Sequence, residues 1–341
     1  MTYFKPIIGV LVLTLFIGST AYAQQDPQFS MNMNNKLFFN PAFAGMNDGI
    51  CAYTIGRQQW VGFEGRPESY LFGAHGTFTI PFINLRSGGG LVVLGDALGQ
   101  MHFTTIKGSY SAHIPLNIID SDPGFLSIGA SFGLLQFGLG NNWRSVNPYY
   151  SDPSIPDGGF QASSFDMDFG VWYQTRRLYF GASMTHLNGA SFEAEGLGLG
   201  GGFEDNQDVV NWNTSFKMKS HLIFTAGYDF PLPNPLFVLK PSVFVKTDLV
   251  SAQYDLNALV EYNNFIWGGL TYRWIDAVVA MGGVNWAPGN IPGTLRAGYA
   301  YDITTNQLRT GSNGSHEIFV QYCLKLKQKS PVTRHKSVRF L

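Results

Sequence analysis

Gln253-Tyr254-Asp255-Leu256-Asn257-Ala258-Leu259-Val260-Glu261 carries the pattern on which the fold turns. Gln253, Asp255, Asn257 and Glu261 share one parity, and Tyr254, Leu256, Ala258 and Val260 share the other, so an extended chain here has one wet face and one greasy face. From Phe125 to Phe137, Ser127, Gly129, Ser131 and Gly133 oppose Leu126, Ile128, Ala130, Phe132 and Leu134 in the same way. Further on, Arg296, Gly298, Ala300 and Asp302 oppose Leu295, Ala297, Tyr299 and Tyr301. In a soluble sandwich the apolar face is the core, whereas in an outer-membrane barrel it meets lipid and the polar, glycine-rich face lines the lumen. Alternation alone leaves both open.

Strand count and loop parity separate them. Runs of about 9 to 13 residues, the length a tilted membrane strand needs, fall near 50–58, 68–80, 86–98, 101–114, 124–137, 164–174, 177–186, 219–231, 236–247, 251–261, 264–273, 276–286, 293–303 and 315–325. That is an even set of fourteen. With the chain starting in the periplasm, connections after even strands are periplasmic and short, and those after odd strands are external and free to be long. The even connections include Pro81-Phe82-Ile83-Asn84, Arg176-Arg177, Pro231-Leu232-Pro233-Asn234-Pro235 and Tyr262-Asn263-Asn264, tight turns marked by Pro or Asn, with a longer one around Asp120 to Gly124. The long excursions, 138–163, 187–218 and 304–314, all follow odd strands. A sandwich gives no reason for this sorting. The expected fold is therefore all-β, a transmembrane antiparallel barrel of about 14 strands. Trp60, Tyr70, Tyr173, Tyr228, Tyr262, Trp274, Trp286 and Tyr322 sit at strand ends, as girdles at two membrane interfaces require.

Composition agrees. Charged residues are 13% of the 341, against about 25% in an average soluble domain, and 40 residues are Gly. A mean hydropathy of +0.00 is too low for a bundle of membrane helices. A 45% hydrophobic content excludes disorder, and a net charge of -1 argues against phosphate-backbone binding, so no nucleic-acid partner is expected.

Four segments follow. Residues 1–23 read as a secretory signal peptide, with Lys5, an apolar run from Ile7 to Ile17 and an Ala21-Tyr22-Ala23 cleavage site; no Cys stands at the cleavage point, so a lipoprotein signal is not indicated. Residues 24–49, apolar and broken by Pro, lack strand alternation and are expected in the lumen. Residues 50–325 form the barrel, its outer face against outer-membrane lipid. Residues 326–341 carry Lys327, Lys329, Arg334, Lys336 and Arg339 with no acid, a basic periplasmic tail suited to an acidic partner. Cys51 opens the first strand and Cys323 stands near the end of the last, which barrel closure would pair. They are a candidate disulfide if register allows, and otherwise two small hydrophobes.

Gln25-Asp26-Pro27-Gln28-Phe29-Ser30, Asn40-Pro41-Ala42-Phe43-Ala44-Gly45, Arg57-Gln58-Gln59-Trp60-Val61-Gly62, Tyr272-Arg273-Trp274, Gly298-Tyr299-Ala300-Tyr301-Asp302 and Gly314-Ser315-His316-Glu317-Ile318 stand in an order that resembles the PorP/SprF family. The terminal Ser337-Val338-Arg339-Phe340-Leu341 is similar to that family's ending, with departures at Val338 and Leu341. The resemblance implies an outer-membrane barrel of the Bacteroidota type IX secretion and gliding machinery. It further implies periplasmic and outer-membrane machine components as partners and a large exported surface protein as client. It marks Asn40, Pro41, Gly45, Arg57, Trp60, Gly62, Arg273, Tyr299, Asp302, His316, Glu317, Arg339 and Phe340 as motif or partner-contact positions.

No catalytic constellation emerges, and no cofactor or metal is expected. Gly196-Leu197-Gly198-Leu199-Gly200-Gly201 matches G-x-G-x-x-G but lies in an expected external loop without a βαβ unit, and reads as a flexible turn. The His are scattered, with His102, His113 and His186 in expected strands and no zinc-type spacing. Asp166 and Asp168 share a strand face, and against Lys107, Lys240, Lys246, Arg273 and Arg296 they read as an internal salt-bridge network. The function expected is a non-enzymatic component that assists export or display of large proteins. The alternative is a channel or transporter for small or hydrophobic solutes.

Overall fold

The computed structural model describes residues 26–118, 122–140, 159–199, 209–289 and 292–325. The expected signal peptide and basic tail, with Arg339 and Phe340, lie outside the described residues.

Fourteen antiparallel strands close a barrel: Gly49–Gln58, Glu68–Ile80, Leu85–Leu98, Met101–Pro115, Phe125–Leu139, Phe160–Gln174, Leu178–Thr185, His221–Tyr228, Phe237–Thr247, Ala252–Tyr262, Ile266–Arg273, Ala277–Trp286, Thr294–Thr304 and Ser315–Lys325. Each pairs with its neighbours in this series, and the first pairs with the last, so the barrel sheet has no open edge. No helix among the described residues is long and apolar enough to cross a membrane; the crossing elements are strands. The parity read from Gln253–Glu261 is realised in three dimensions. Asp255 and Asn257 are buried in the lumen, while Leu256 is 57% exposed on the outer face with Ile50, Phe72, Leu270 and Ile318. Asn84, Asn263 and Asn264 take positive φ in short turns, a conformation Asn tolerates better than most residues. Cys51 faces Cys323 across the closing seam, and a disulfide joins them with 4.1 Å between their Cα atoms.

Three sequence expectations are corrected. The excursion 187–218 contains a hairpin, Ser191–Leu199 paired with Val209–Lys217, so the Gly196–Leu199 part of the glycine-rich run is strand rather than turn. Its physical reason is an apolar face: Phe192 opposes Phe216, and both pack with Leu135 and Phe137. Tyr173 is 7% exposed and does not belong to an outer girdle. His186 follows its strand, which ends at Thr185.

Candidate functional site

Residues 26–46 run through the barrel interior, and the chemistry that holds them begins with a Pro and an Asn. Pro41 opens a short 3-10 helix, Pro41–Phe43, where a missing amide hydrogen costs nothing. Asn40 caps that helix by accepting from the Ala42 amide at 2.9 Å, and its Nδ2 donates to the carbonyls of Val171 at 3.0 Å and Ala182 at 3.2 Å. A segment with only short helical turns must find other partners for most of its backbone. Lumenal serines supply them: Ser127 donates to the Ala42 carbonyl at 2.6 Å, Ser111 to Ala44 at 2.7 Å and Ser183 to Phe39 at 2.6 Å. Lumenal glycines let the segment come that close. A Cβ on Gly129 would meet the Ala42 nitrogen at 2.6 Å, and one on Gly88 would run into the Ala44 carbonyl. Gly45, at φ +66, turns the chain toward the first strand and donates to His75 Nδ1 at 3.1 Å.

Nearer the long connections the segment is held by charge. Both oxygens of Glu317 accept backbone amides, from Ser30 at 2.6 Å and Met31 at 2.8 Å. Arg57 pairs with Asp302 at 2.9 Å and Glu317 at 3.2 Å and donates to the Ser30 hydroxyl, which itself donates to Asp302 at 2.6 Å. Arg273 pairs with Asp255 at 3.1 Å and donates to the Phe29 carbonyl at 3.1 Å, while Asn32 donates to Asp255 at 3.0 Å. Every one of these side chains is buried, so each charge depends on its partners.

A second cluster lies beside the start of the segment. Lys107 pairs with Asp166 at 2.6 Å and Asp168 at 2.8 Å, and His186 bridges Asp166 at 2.7 Å and Asp26 at 2.8 Å. Lys246 donates to the Asp26 carbonyl at 2.9 Å. The Asp26 carboxylate thus has His186 at one oxygen and His221, at 3.7 Å, beside the other. Among the described residues two trios have ligand-type atoms close together, Asp26 with His186 and His221, and Asp166 with Asp168 and His186. Lys240 and Arg296 share Glu261 in a third group, at 3.3 and 3.9 Å, so the five cations named from sequence serve three separate networks.

A family model described as type IX secretion system membrane protein PorP/SprF matches residues 21–322. The chain belongs to the PorP/SprF family. A PorP/SprF barrel of this kind resides in the outer membrane, and its family and fold are those of a secretion or transport membrane protein, not of a known enzyme class. Among solved structures it is similar to the CymD monoaromatic hydrocarbon channel, at 14% identity over 86% of this chain and 93% of that one, with a TM-score of 0.53. It is also similar to a Pseudomonas aeruginosa FadL homologue, at 10% identity over 91% and 96%, with a TM-score of 0.48. At these identities the likeness is one of fold. No curated protein matches the sequence.

The positions marked from the resemblance divide by location. Asn40, Pro41, Gly45, Arg57, Arg273, Asp302 and Glu317 meet in the lumen around the segment. Trp60 and Gly62 lie on the rim, where the Trp60 amide donates to Ser315 Oγ at 3.0 Å and a Cβ on Gly62, at φ +114, would strike the Gly311 carbonyl at 2.8 Å. Tyr299 and His316 are hydrogen-bonded to each other at 2.6 Å on the opposite parity, away from the lumenal cluster. Sequence reasoning did not single out Ser30, Asn32, Asp255 or His221 as site residues. For Asp255 the signal was present: it stands on the wet parity of the most regular strand.

Proposed function

We propose that this protein is a stoppered barrel that serves the type IX machine as a scaffold, assisting export or surface display of large proteins without catalysing a reaction. The observation that carries this reading is the lumenal segment. Its backbone is bound by wall serines, its Asn40 side chain donates to wall carbonyls, and Ser30 and Met31 are held by the buried charges of Arg57, Asp302 and Glu317. A barrel filled in this way is suited to holding partners at its rims rather than passing solutes. The sequence supports a periplasmic role for residues 326–341, whose five cations and absent acids suit an acidic partner through electrostatic complementarity. The test is affinity purification of the tagged protein from its native outer membrane, as the full chain and lacking 326–341. The shortened barrel is expected to insert, while co-purified periplasmic components and displayed client fall. If both survive unchanged, the docking role is wrong.

One observation favours a second reading, passage of small hydrophobic solutes. A cavity lies between the segment and the wall, with Leu37, Phe38, Val92, Leu94, Phe103 and Leu135 forming an apolar side and Asp26, Lys107, Asp168 and His186 of the second cluster a charged one. Planar-bilayer and vesicle-uptake measurements separate the two. A scaffold shows little steady conductance or uptake when intact and more conductance after deletion of residues 25–45, whereas a transporter moves solute with the segment in place.

A further inference from the structure

His221 is used by none of the anchors that hold the lumenal segment. It is the first residue of its strand, is 1% exposed, and neither ring nitrogen has a hydrogen-bond partner among the described residues. A buried polar group left in that state carries the cost of its lost hydration, which a bound water or ion would relieve. Its Nδ1 stands 3.7 Å from Asp26 Oδ2. The other oxygen of the same carboxylate is 2.8 Å from His186 Nε2. One ligand atom from each of the three residues lies within 4.8 Å of the others.

We propose that Asp26, His186 and His221 form a binding site for a divalent transition-metal ion of the zinc class. Two imidazoles and a carboxylate are a ligand set that suits zinc, with a fourth position left for water. Behind His186, Asp166 takes the other ring nitrogen at 2.7 Å, the outer carboxylate that orients a metal-binding histidine and raises its basicity. The neighbouring charges leave the Asp26 carboxylate available. Lys107 is engaged by Asp166 and Asp168, and Lys246 donates to the Asp26 backbone carbonyl rather than to its side chain. Binding replaces the proton between His186 Nε2 and Asp26 Oδ1, and that proton leaves to solvent. Ligand distances of about 2.0 to 2.2 Å then require those two atoms to part by a few tenths of an ångström. The consequence is mechanical. Asp26 belongs to the lumenal segment, whereas His186 and His221 belong to the wall on either side of the 187–220 excursion, so the ion would fasten the segment's start to the barrel.

The test uses the full mature barrel purified in detergent, stripped with EDTA and titrated with Zn2+ against a chromophoric chelator. The wild type is expected to bind one zinc per chain, His221→Ala to bind at least about tenfold more weakly, and His102→Ala, outside the cluster, to match the wild type. Because His221 makes no hydrogen bond among the described residues, its truncation leaves no hydrogen-bond partner unpaired, and heat-modifiable mobility on gels reports assembly. Should His221→Ala fail to assemble, X-ray absorption of the zinc-loaded wild type decides: two imidazoles on the metal support the site, and fewer overturn it. Absent zinc binding in the wild type, or equal affinity in an assembled His221→Ala, also overturns it.

Discussion

The inward face of Phe125–Leu139 differs along its length. Toward one end it presents Ser127, Gly129 and Ser131, and toward the other Leu135 and Phe137. The first part receives a segment whose short turns leave backbone groups unpaired, so Ser127 offers a hydroxyl donor and Gly129 clearance, while Ser131 donates to Asp168 of the wall. The second part receives a hairpin whose backbone is already paired within itself, so apolar area suffices: Leu135 and Phe137 pack with Ala190, Phe192 and Met218. What a lumen wall must be made of is thus decided by whether its occupant has satisfied its own backbone. Polar lining does not by itself mean a water-filled channel.

This contrast can be broken by substitution. The largest effect is expected from Arg57→Ala, which leaves Asp302 and Glu317 buried without their shared cation; loss of one partner of such a network costs about 3–5 kcal/mol. Urea titration of the heat-modifiable folded band should show the loss, and residues 26–46 should become cleavable by added protease. Next comes Phe137→Ala, where removal of a buried ring costs about 3 kcal/mol. Here the hairpin should loosen while residues 26–46 stay protected. If Phe137→Ala exposes the segment as readily as Arg57→Ala does, the two regions are one cooperative unit and the contrast fails. The smallest effect is Ser127→Ala, which removes a single hydrogen bond to the Ala42 carbonyl and costs about 1 kcal/mol. Combining it with Phe137→Ala sharpens the contrast: separate regions predict additive losses to within about 0.5 kcal/mol.

Much of the barrel was legible because its signals are local. Alternation at Gln253–Glu261 and the Pro- and Asn-marked turns need only neighbouring residues, and the fourteen strands lie close to the runs read from sequence. The hairpin at Ser191–Leu199 was not legible, because its glycine-rich outer half hides a strand whose reason is Phe192 packing on Phe137, 55 positions earlier in the chain. Tyr173 was misread because it keeps the outward parity of Phe165 and Phe169 yet is covered at its strand end beside Gly124, a burial that alternation along one strand does not signal.

By itself the sequence determined which side chains face inward, since period-two alternation is a property of one strand and survives any arrangement of the others. Which inward groups meet was decided only by closure. The Ser30 amide reaches Glu317 across 287 positions, Arg57 reaches Asp302 across 245, and Asp26 reaches His186 across 160. No spacing rule spans such distances. These contacts form because fourteen paired strands curve until the last meets the first, and buried charges and backbone groups in the enclosed lumen must then find partners there.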